Sequence, residues 1–214
     1  MYNILINFRK ILPLEVIRDI QQKVEEAASG FNISIENILQ VGFNQFRKAP
    51  GIFILYSFIG SVALSNPLSG LLLGGPIITG YYIVARQLSR NRPAGLTDFF
   101  RSFDKYVPLL ILNLLISLVI FLGLLLLIIP GIYFAVNYIF AHFFVWYYDK
   151  SPAEAVRMSR RVVSGNFTQI FFLWLALVGI NILGAMAFGI GLLITLPFSA
   201  CTIHAAFEDI IGTP

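Results

Sequence analysis

Three stretches of this chain follow one pattern: Leu71-Leu72-Leu73-Gly74-Gly75-Pro76, Leu125-Leu126-Leu127-Ile128-Ile129-Pro130 and Leu192-Leu193-Ile194-Thr195-Leu196-Pro197. Each is a short aliphatic run followed by a proline, and each lies in a long uncharged region that an amphipathic segment with Lys or Arg precedes. Recurrence of the same parts in the same order indicates an internal repeat. The sequence therefore predicts a fold built from three similar units.

The composition of the chain places it in a membrane. Its 214 residues are 57% hydrophobic and 12% charged, with a mean hydropathy of +0.81, values outside the range of soluble domains. Charged residues are absent from 49–85, from 106–148 and from 162–207. Because a spanning helix needs about 20 mostly apolar residues, each uncharged region is expected to hold one helical hairpin.

We therefore predict an all-α integral membrane protein with about six transmembrane helices, arranged as three pseudo-repeated hairpins that are each preceded by an amphipathic interfacial helix. The predicted spans lie near 50–65, 70–89, 107–128, 131–148, 167–184 and 188–207. The first span is short. Residues of the preceding amphipathic helix complete it, or it enters the membrane without fully crossing.

The composition also divides the chain into three parts. Residues 1–33 are predicted to form a cytoplasmic N-terminal extension with a short helix, residues 34–209 the six-helix membrane domain, and residues 210–214 a C-terminal tail. Within the membrane domain, the three repeats cover about 34–89, 97–148 and 151–208.

The distribution of charge predicts the orientation in the membrane. All 15 Lys and Arg residues and all 11 acidic residues lie outside the three uncharged regions, in segments that an even number of crossings returns to one side. Positively charged loops remain in the cytoplasm. The expected location is the bacterial inner (plasma) membrane, with multiple crossings and with both termini in the cytoplasm.

The amphipathic segments suggest contact with lipid. Helices of this kind lie in the headgroup plane, with their cations near anionic lipid phosphates. Anionic headgroups are therefore the expected partners, whether the segments merely anchor the chain or collect a lipid or anionic substrate at a cytoplasmic opening. Nucleic acid is not expected, because the basic residues are spread over three segments. The candidate headgroup contacts are Arg47, Lys48, Arg101, Lys105, Arg157, Arg160 and Arg161.

The predicted hydrocarbon core contains few polar side chains, and none with a fixed charge. This argues against ion coupling through carboxylates and against a charged channel filter. His142 and His204 either share a site that binds metal or relays protons, or serve as interhelical hydrogen-bond partners, as single membrane histidines more often do. The candidate intramembrane polar residues are Asn113, Asn137, His142, Asn181 and His204.

Motifs of enzymes are missing from the sequence. It contains no His-Glu-x-x-His, no Gly-x-Ser-x-Gly, no P-loop and no Cys-x-x-Cys. We therefore predict no catalytic residues, no cofactor and no metal site. The single cysteine, Cys201, excludes an internal disulfide and is predicted to be buried in the last span.

The N-terminal extension carries a narrow apolar stripe. Ile17, Ile20, Val24 and Ala27 recur at helical spacing among charged residues. Such a stripe suits one partner helix. The alternative is that the helix docks beneath its own membrane domain, which is at least as consistent with the pattern.

Several segments look familiar: Pro130-Gly131-Ile132-Tyr133 followed by Tyr148-Asp149, then Ser151-Pro152-Ala153-Glu154-Ala155-Val156 through Ser159-Arg160, and Gly189-Ile190-Gly191-Leu192-Leu193 followed by Pro197. They resemble bacterial multi-pass proteins of uncharacterised function, including YciC-type inner-membrane proteins and the membrane domains fused to some glycerophosphodiester phosphodiesterases. The resemblance covers residues 34–209. It implies the fold and brings no active-site residues, because the chain has no phosphodiesterase domain.

Two functions fit these observations. The first is a non-enzymatic accessory or scaffold subunit that binds a membrane protein complex, a second copy of itself or lipid. The second is a small transporter or flippase-like protein for a neutral or amphipathic molecule. A scaffold predicts tightly packed apolar spans, whereas transport predicts a polar cavity lined by the intramembrane Asn and His residues.

Overall fold

The computed structural model of the protein describes residues 14–213, with side chains from residue 18 onward. The described residues form helices joined by short turns, which confirms the predicted all-α class. Their bounds are α1 Leu14–Ser29, α2 Ile35–Arg47, α3 Pro50–Ala63, α4 Pro67–Ser89, α5 Leu96–Phe100, a 3-10 helix Arg101–Lys105, α6 Tyr106–Leu126, α7 Ile128–Asn137, α8 Ala141–Tyr148, α9 Pro152–Gly165, α10 Phe167–Met186 and α11 Leu192–Ile210.

Four helices in the described part of the chain are long and apolar enough to cross a membrane. They are Pro67–Ser89, Leu96–Leu126, Ile128–Tyr148 and Phe167–Met186. Helix α3 is apolar but has 14 residues, and polar side chains interrupt the apolar residues of α11. Crossing by these two helices, and hence the six-span arrangement, stays a prediction.

The long helices expose large apolar side chains. Leu118 and Phe121 of α6 are 58% and 63% exposed, and Ile182 and Leu183 of α10 are 55% and 68% exposed. A surface of this kind is unfavourable in water and suits the hydrocarbon of a bilayer.

A break in one predicted span separates α7 from α8. Between Asn137 and Ala141 the helical ladder is interrupted, which would leave backbone groups unpaired in an apolar setting. The buried Ser159 of α9 fills the gap: its hydroxyl donates to the carbonyl of Asn137 at 2.7 Å and accepts from the N–H of Phe140 at 3.2 Å. The amphipathic helix α9 thus completes the hydrogen bonding of a neighbouring span.

Helix α2 lies against α11 at a very short distance because of a glycine. A Cβ atom at Gly42 would approach the Cα atom of Thr202 to 2.7 Å and its backbone nitrogen to 2.8 Å. Real Cβ atoms do not come this close to a backbone, so only glycine fits here. Through this contact the start of the first predicted repeat packs on the end of the third.

Two lysines from different repeats hold the ends of two spans in the same way. The Nζ atom of Lys48 donates to the carbonyl of Leu88 and to Oδ1 of Asn91, each at 2.7 Å. The Nζ atom of Lys105 donates to the carbonyl of Trp146 at 2.7 Å and pairs with Asp149. A cation at the carboxyl end of a helix stabilises the unpaired carbonyls there.

The two acceptor residues also have the same backbone conformation. Asn91 has φ of 54° and Asp149 has φ of 48°, both left-handed; Asn91 lies two residues after the end of α4 and Asp149 one residue after the end of α8. Asn and Asp tolerate this conformation better than most residues. Lys48 and Lys105, two of the predicted headgroup contacts, thus bind helix ends of their own chain, and their contact with lipid headgroups stays a prediction.

Replacing Lys48 or Lys105 by methionine is expected to lower the free energy of unfolding by about 1–2 kcal/mol, since each loss leaves carbonyls at a helix end without a charged donor. Thermal unfolding of the purified protein in mild detergent measures the effect. The control is Lys23→Met, because Lys23 makes an exposed ion pair with Asp19 and such pairs contribute less than about 1 kcal/mol. Equal midpoints for all three variants would contradict a capping role.

Helix α1 packs on α9 through its apolar stripe. Ile20, Val24 and Ala27 are 0%, 3% and 5% exposed, and Gly165 of α9 lies directly against the backbone of Ala27. The structure therefore places these three residues against their own chain, as in the docked alternative, and binding of a partner helix stays a prediction. The side chain of Ile17 lies outside the described residues.

Candidate functional site

A mostly apolar cavity lies between α3, α4, α10 and α11. Its volume is about 730 Å³, within the range of small-molecule sites in proteins, about 300–1,000 Å³. Aliphatic and aromatic side chains form most of the wall. The lining residues that contribute the apolar surface are Phe58, Leu64, Ile77, Ile78, Tyr82, Trp174, Leu177, Val178, Phe188, Ile190, Leu192, Leu193, Leu196, Ala200 and Ile203.

Two hydrogen-bonded pairs add polar groups to this wall. The hydroxyls of Ser57 and Tyr81 are 2.9 Å apart and share one hydrogen bond. Across the cavity, Nδ2 of Asn181 donates to the hydroxyl of Ser199 at 2.9 Å and to the carbonyl of Leu177 at 2.8 Å. Because these groups satisfy one another, the wall remains mostly apolar.

One polar atom of the wall lacks a partner. The carbonyl oxygen of the Asn181 side chain is buried and accepts no hydrogen bond within the described part of the chain. Buried polar groups are usually paired. Asn181 can therefore accept one hydrogen bond from a molecule in the cavity.

The turn between α10 and α11 borders the cavity and has an unusual backbone. Phe188 has φ of 55° and is 98% exposed, and Gly189 follows with φ of 76°. A left-handed conformation is unfavourable for a bulky residue such as phenylalanine. The cavity is therefore bordered by a strained, exposed aromatic side chain.

The other predicted intramembrane polar residues do not reach this cavity. Nδ2 of Asn113 donates to the carbonyl of Leu71 at 2.8 Å and so joins α6 to α4. Nδ2 of Asn137 donates to the carbonyl of Tyr133 at 2.7 Å, within its own helix. Of the three predicted asparagines, Asn181 alone lines the cavity.

The two histidines lie in an aromatic part of the core. The ring of His142 is 6.4 Å from that of Tyr82, and the ring of His204 is 6.1 Å from that of Phe143. Nε2 of His142 and both ring nitrogens of His204 are buried without a hydrogen-bond partner among the described residues. Residues 14–213 contain no group of three or more His, Cys, Asp or Glu arranged to hold a metal.

Cys201 is fully buried in α11, as the sequence predicts. Its neighbours along the helix, Ala200 and Ile203, line the cavity. The thiol is therefore a packing group at the back of the cavity wall.

The predicted headgroup cations have different surroundings. Arg47 lies 5.5 Å above the ring of Phe43, Arg101 pairs with Asp98 at 3.6 Å, and Arg161 pairs with Glu25 at 2.8 Å. The first two pairings are between near neighbours in sequence, whereas the third joins α9 to α1; none of them tests contact with a headgroup.

Three of these arginines gather in one groove between α1 and α9. Arg157, Arg160 and Arg161 line a space of about 990 Å³ together with Lys150, Glu25 and Glu154. Hydrogen bonds from the side chain and the backbone of Ser151 lower the pKa of the Glu154 carboxyl, so this acid stays ionised and offsets part of the positive charge.

Several residues of the cavity were not singled out from the sequence. Ser57, Tyr81 and Ser199 are uncharged residues within apolar regions. Their hydroxyl groups in predicted spanning segments were the feature that could have marked them as candidates. Their convergence could not be inferred, because Ser57 and Tyr81 lie on the consecutive helices α3 and α4 whereas Ser199 lies more than 100 residues later on α11.

Comparisons with known proteins find similarity to a family of uncharacterised function. A family model described as Domain of unknown function (DUF7847) matches residues 94–213. Two relatives, the uncharacterised proteins Rv2560 of Mycobacterium tuberculosis H37Rv and Mb2590 of Mycobacterium bovis, are each 30% identical over 164 residues, which cover 77% of this chain and 47% of the relative. The chain thus spans about half the length of these curated relatives. No solved structure matches, and the YciC-type and phosphodiesterase-type resemblances stay predictions.

Proposed function

The chain belongs to the DUF7847 family, and we propose that it is a non-enzymatic integral membrane protein that holds a lipid in the apolar cavity between α3, α4, α10 and α11. The observation that carries this proposal is the cavity itself: its volume is about 730 Å³ and its wall is mostly apolar, with the hydrogen-bonded pairs Ser57–Tyr81 and Asn181–Ser199 among its few polar groups. Acyl chains are the apolar molecules that a protein with spanning helices meets most often.

The chemistry of the wall favours a lipid over a polar solute. A hydrophilic molecule in this cavity would lose its hydration and regain few hydrogen bonds, since the wall offers few polar groups, among them the buried side-chain oxygen of Asn181, which is unpaired within the described residues. A single acceptor instead suits a hydroxyl or amide group of an amphipathic molecule. The same cavity is also compatible with the second candidate function, transport of a neutral or amphipathic molecule.

We further propose six crossings in three repeated hairpins, in the bacterial inner membrane with both termini in the cytoplasm. The matching roles of Lys48 and Lys105 support the repeat, because each lysine binds a carbonyl at the end of a span and the left-handed residue three positions later. Anionic lipids, a membrane protein complex or a second copy are the partners that we propose for this arrangement.

Filling the cavity is expected to expel the lipid. Val178 lines the cavity and is partly exposed, so tryptophan at this position projects into the space. We expect Val178→Trp to reduce the fraction of protein carrying a bound neutral phospholipid by about tenfold, because a molecule that no longer fits loses most of its apolar burial. Native mass spectrometry of the protein released from phosphatidylcholine nanodiscs measures this fraction.

The matched control is Leu175→Trp. Leu175 lies on the same helix, is 46% exposed and does not line the cavity. Equal lipid occupancy in Val178→Trp and Leu175→Trp would exclude the cavity as the lipid site. A soluble neutral molecule bound in place of lipid, and lost in Val178→Trp alone, would favour the transport function instead.

A further inference from the structure

A second, smaller pocket lies at the ends of α4 and α8. Its volume is about 290 Å³, and four arginines line it: Arg86, Arg90, Arg92 and Arg101. They come from three segments of the chain, namely the last turns of α4, the turn after it and the 3-10 helix. One carboxylate, that of Asp104, is among the lining residues.

The pocket is more positive than its local ion pairs can balance. Among the described side chains, Arg101 has a carboxylate partner, Asp98 at 3.6 Å, whereas Arg86, Arg90 and Arg92 have none within 4.0 Å. The nearby carboxylate of Glu208 is linked to Arg86 only through the hydroxyl of Thr213, which donates to Glu208 at 2.7 Å and accepts from Arg86 at 2.9 Å. Like charges held together repel one another. A bound anion would relieve this repulsion.

Hydrogen bonds fix the positions of two of the guanidinium groups. Nε of Arg86 donates to the hydroxyl of Thr213 at 2.9 Å, and Nη2 of Arg90 donates to the carbonyl of Thr213 at 2.7 Å. The guanidinium carbon of Arg86 also lies 4.7 Å from the centre of the Tyr147 ring. Groups that are already placed lose less entropy when they bind a ligand.

The turn that carries Arg90 and Arg92 is fixed as well. Lys48 binds the side chain of Asn91, between the two arginines, at 2.7 Å, and the N–H of Arg92 donates to the carbonyl of Gln87 at 2.8 Å. The arginines are therefore presented by an ordered turn on which neighbouring groups converge.

Gln87 adds an independent sign of a ligand. It lines the same pocket, and its side-chain oxygen is buried without a hydrogen-bond partner in the described residues. A buried acceptor of this kind costs free energy unless a donor reaches it. A hydroxyl on the bound molecule would supply that donor.

We propose that this pocket binds a phosphate group. A guanidinium group can donate two parallel hydrogen bonds to two oxygens of a phosphate. Four guanidinium groups that approach from three segments suit a tetrahedral anion better than a planar carboxylate. The phosphate belongs either to an anionic lipid headgroup or to a soluble phosphorylated molecule, and the hydroxyl that Gln87 accepts from belongs to the same molecule. The site does not depend on the apolar cavity.

The test uses the full chain in neutral detergent with defined probes. Native mass spectrometry measures binding of phosphatidylglycerol against phosphatidylcholine, and calorimetry measures binding of inorganic phosphate and of glycerol 3-phosphate. The variant is Arg90→Gln/Arg92→Gln, which leaves the buried parts of the pocket in place. Arg18→Gln/Lys23→Gln removes the same charge from the exposed face of α1 and is the control.

We expect the Arg90→Gln/Arg92→Gln variant to bind phosphatidylglycerol about tenfold more weakly, with the control within about twofold of the unmodified protein. Loss of phosphatidylglycerol binding without binding of the soluble probes identifies a lipid headgroup. Binding of a soluble probe that the variant loses identifies a soluble phosphate. Equal binding of every probe by variant and control would overturn the proposal.

The two sites can fail separately. Val178→Trp is expected to retain the preference for phosphatidylglycerol, and the double arginine variant is expected to retain phosphatidylcholine in the cavity. A comparison of the two variants with both lipids therefore shows which site is absent.

Discussion

Gly42→Ala is expected to lower the free energy of unfolding by about 2–3 kcal/mol, although it adds one methyl group. The new Cβ atom would lie 2.7 Å from the Cα atom of Thr202 and 2.8 Å from its backbone nitrogen. A flexible side chain could move aside, but a backbone cannot move without its helix. Helices α2 and α11 must therefore separate, and the packing between the first and third predicted repeats is weakened.

The matched control is Gly179→Ala in α10. A Cβ atom at Gly179 meets no atom within 4 Å, so this substitution is expected to leave stability unchanged or to raise it by up to about 1 kcal/mol, the difference in helix propensity. Thermal unfolding in mild detergent compares the two variants. A midpoint for Gly42→Ala at or above that of Gly179→Ala would show that α2 does not pack on α11 at this distance.

Ser159→Ala is expected to be comparably destabilising, by about 2–4 kcal/mol, because it removes one hydroxyl that serves two backbone groups. The carbonyl of Asn137 and the N–H of Phe140 would both lose their partner at the break between α7 and α8. Ser159 is 0% exposed, so water cannot easily replace it. The pair α7 and α8 is expected to lose its fixed geometry.

Ser164→Ala provides the comparison for this prediction. Ser164 lies on the same helix, is exposed, and its hydroxyl donates at 2.7 Å to the carbonyl of Arg161 within one turn. Loss of such a local bond is expected to cost less than about 0.5 kcal/mol. If the thermal midpoints of Ser159→Ala and Ser164→Ala coincide, the bridging role of Ser159 is wrong.

The two proposed sites lie at different levels along α4. Ile77 and Tyr81, in the middle of the helix, line the apolar cavity, whereas Arg86 in its last turns and Arg90 just after it line the arginine pocket. The change from apolar to cationic side chains along one helix is the gradient expected where a span leaves the hydrocarbon for the headgroup layer. The helix thus carries one site within the predicted membrane and one at its border.

Much of the fold follows from local patterns. The absence of charge from 49–85, 106–148 and 162–207 predicts where the apolar helices lie, and Ser34 and Ser151 mark the starts of α2 and α9, where their hydroxyls accept backbone N–H groups. These features depend on neighbours within a few residues. Sequence periodicity is sufficient for them.

The candidate sites depend on contacts that local patterns do not contain. Lys48 and Lys105 have the spacing of headgroup contacts, yet each reaches a helix end about 40 residues away. His142 and His204 were considered as a shared site, yet both lie among aromatic rings. Arg86, Arg90 and Arg92 were not singled out at all, because their convergence with Arg101 requires the folded chain.

Composition and charge spacing along the chain are sufficient to predict a helical protein that is apolar enough to enter a membrane. Which helix faces meet can be seen only in the folded chain, and the cavity, the docking of α1 and the arginine pocket depend on those contacts. In an apolar solvent the lipid-facing and protein-facing side chains are equally hydrophobic, so amphipathicity no longer marks the buried side. Helix pairing then depends on glycine contacts and isolated hydrogen bonds, which can be recognised only in the three-dimensional structure.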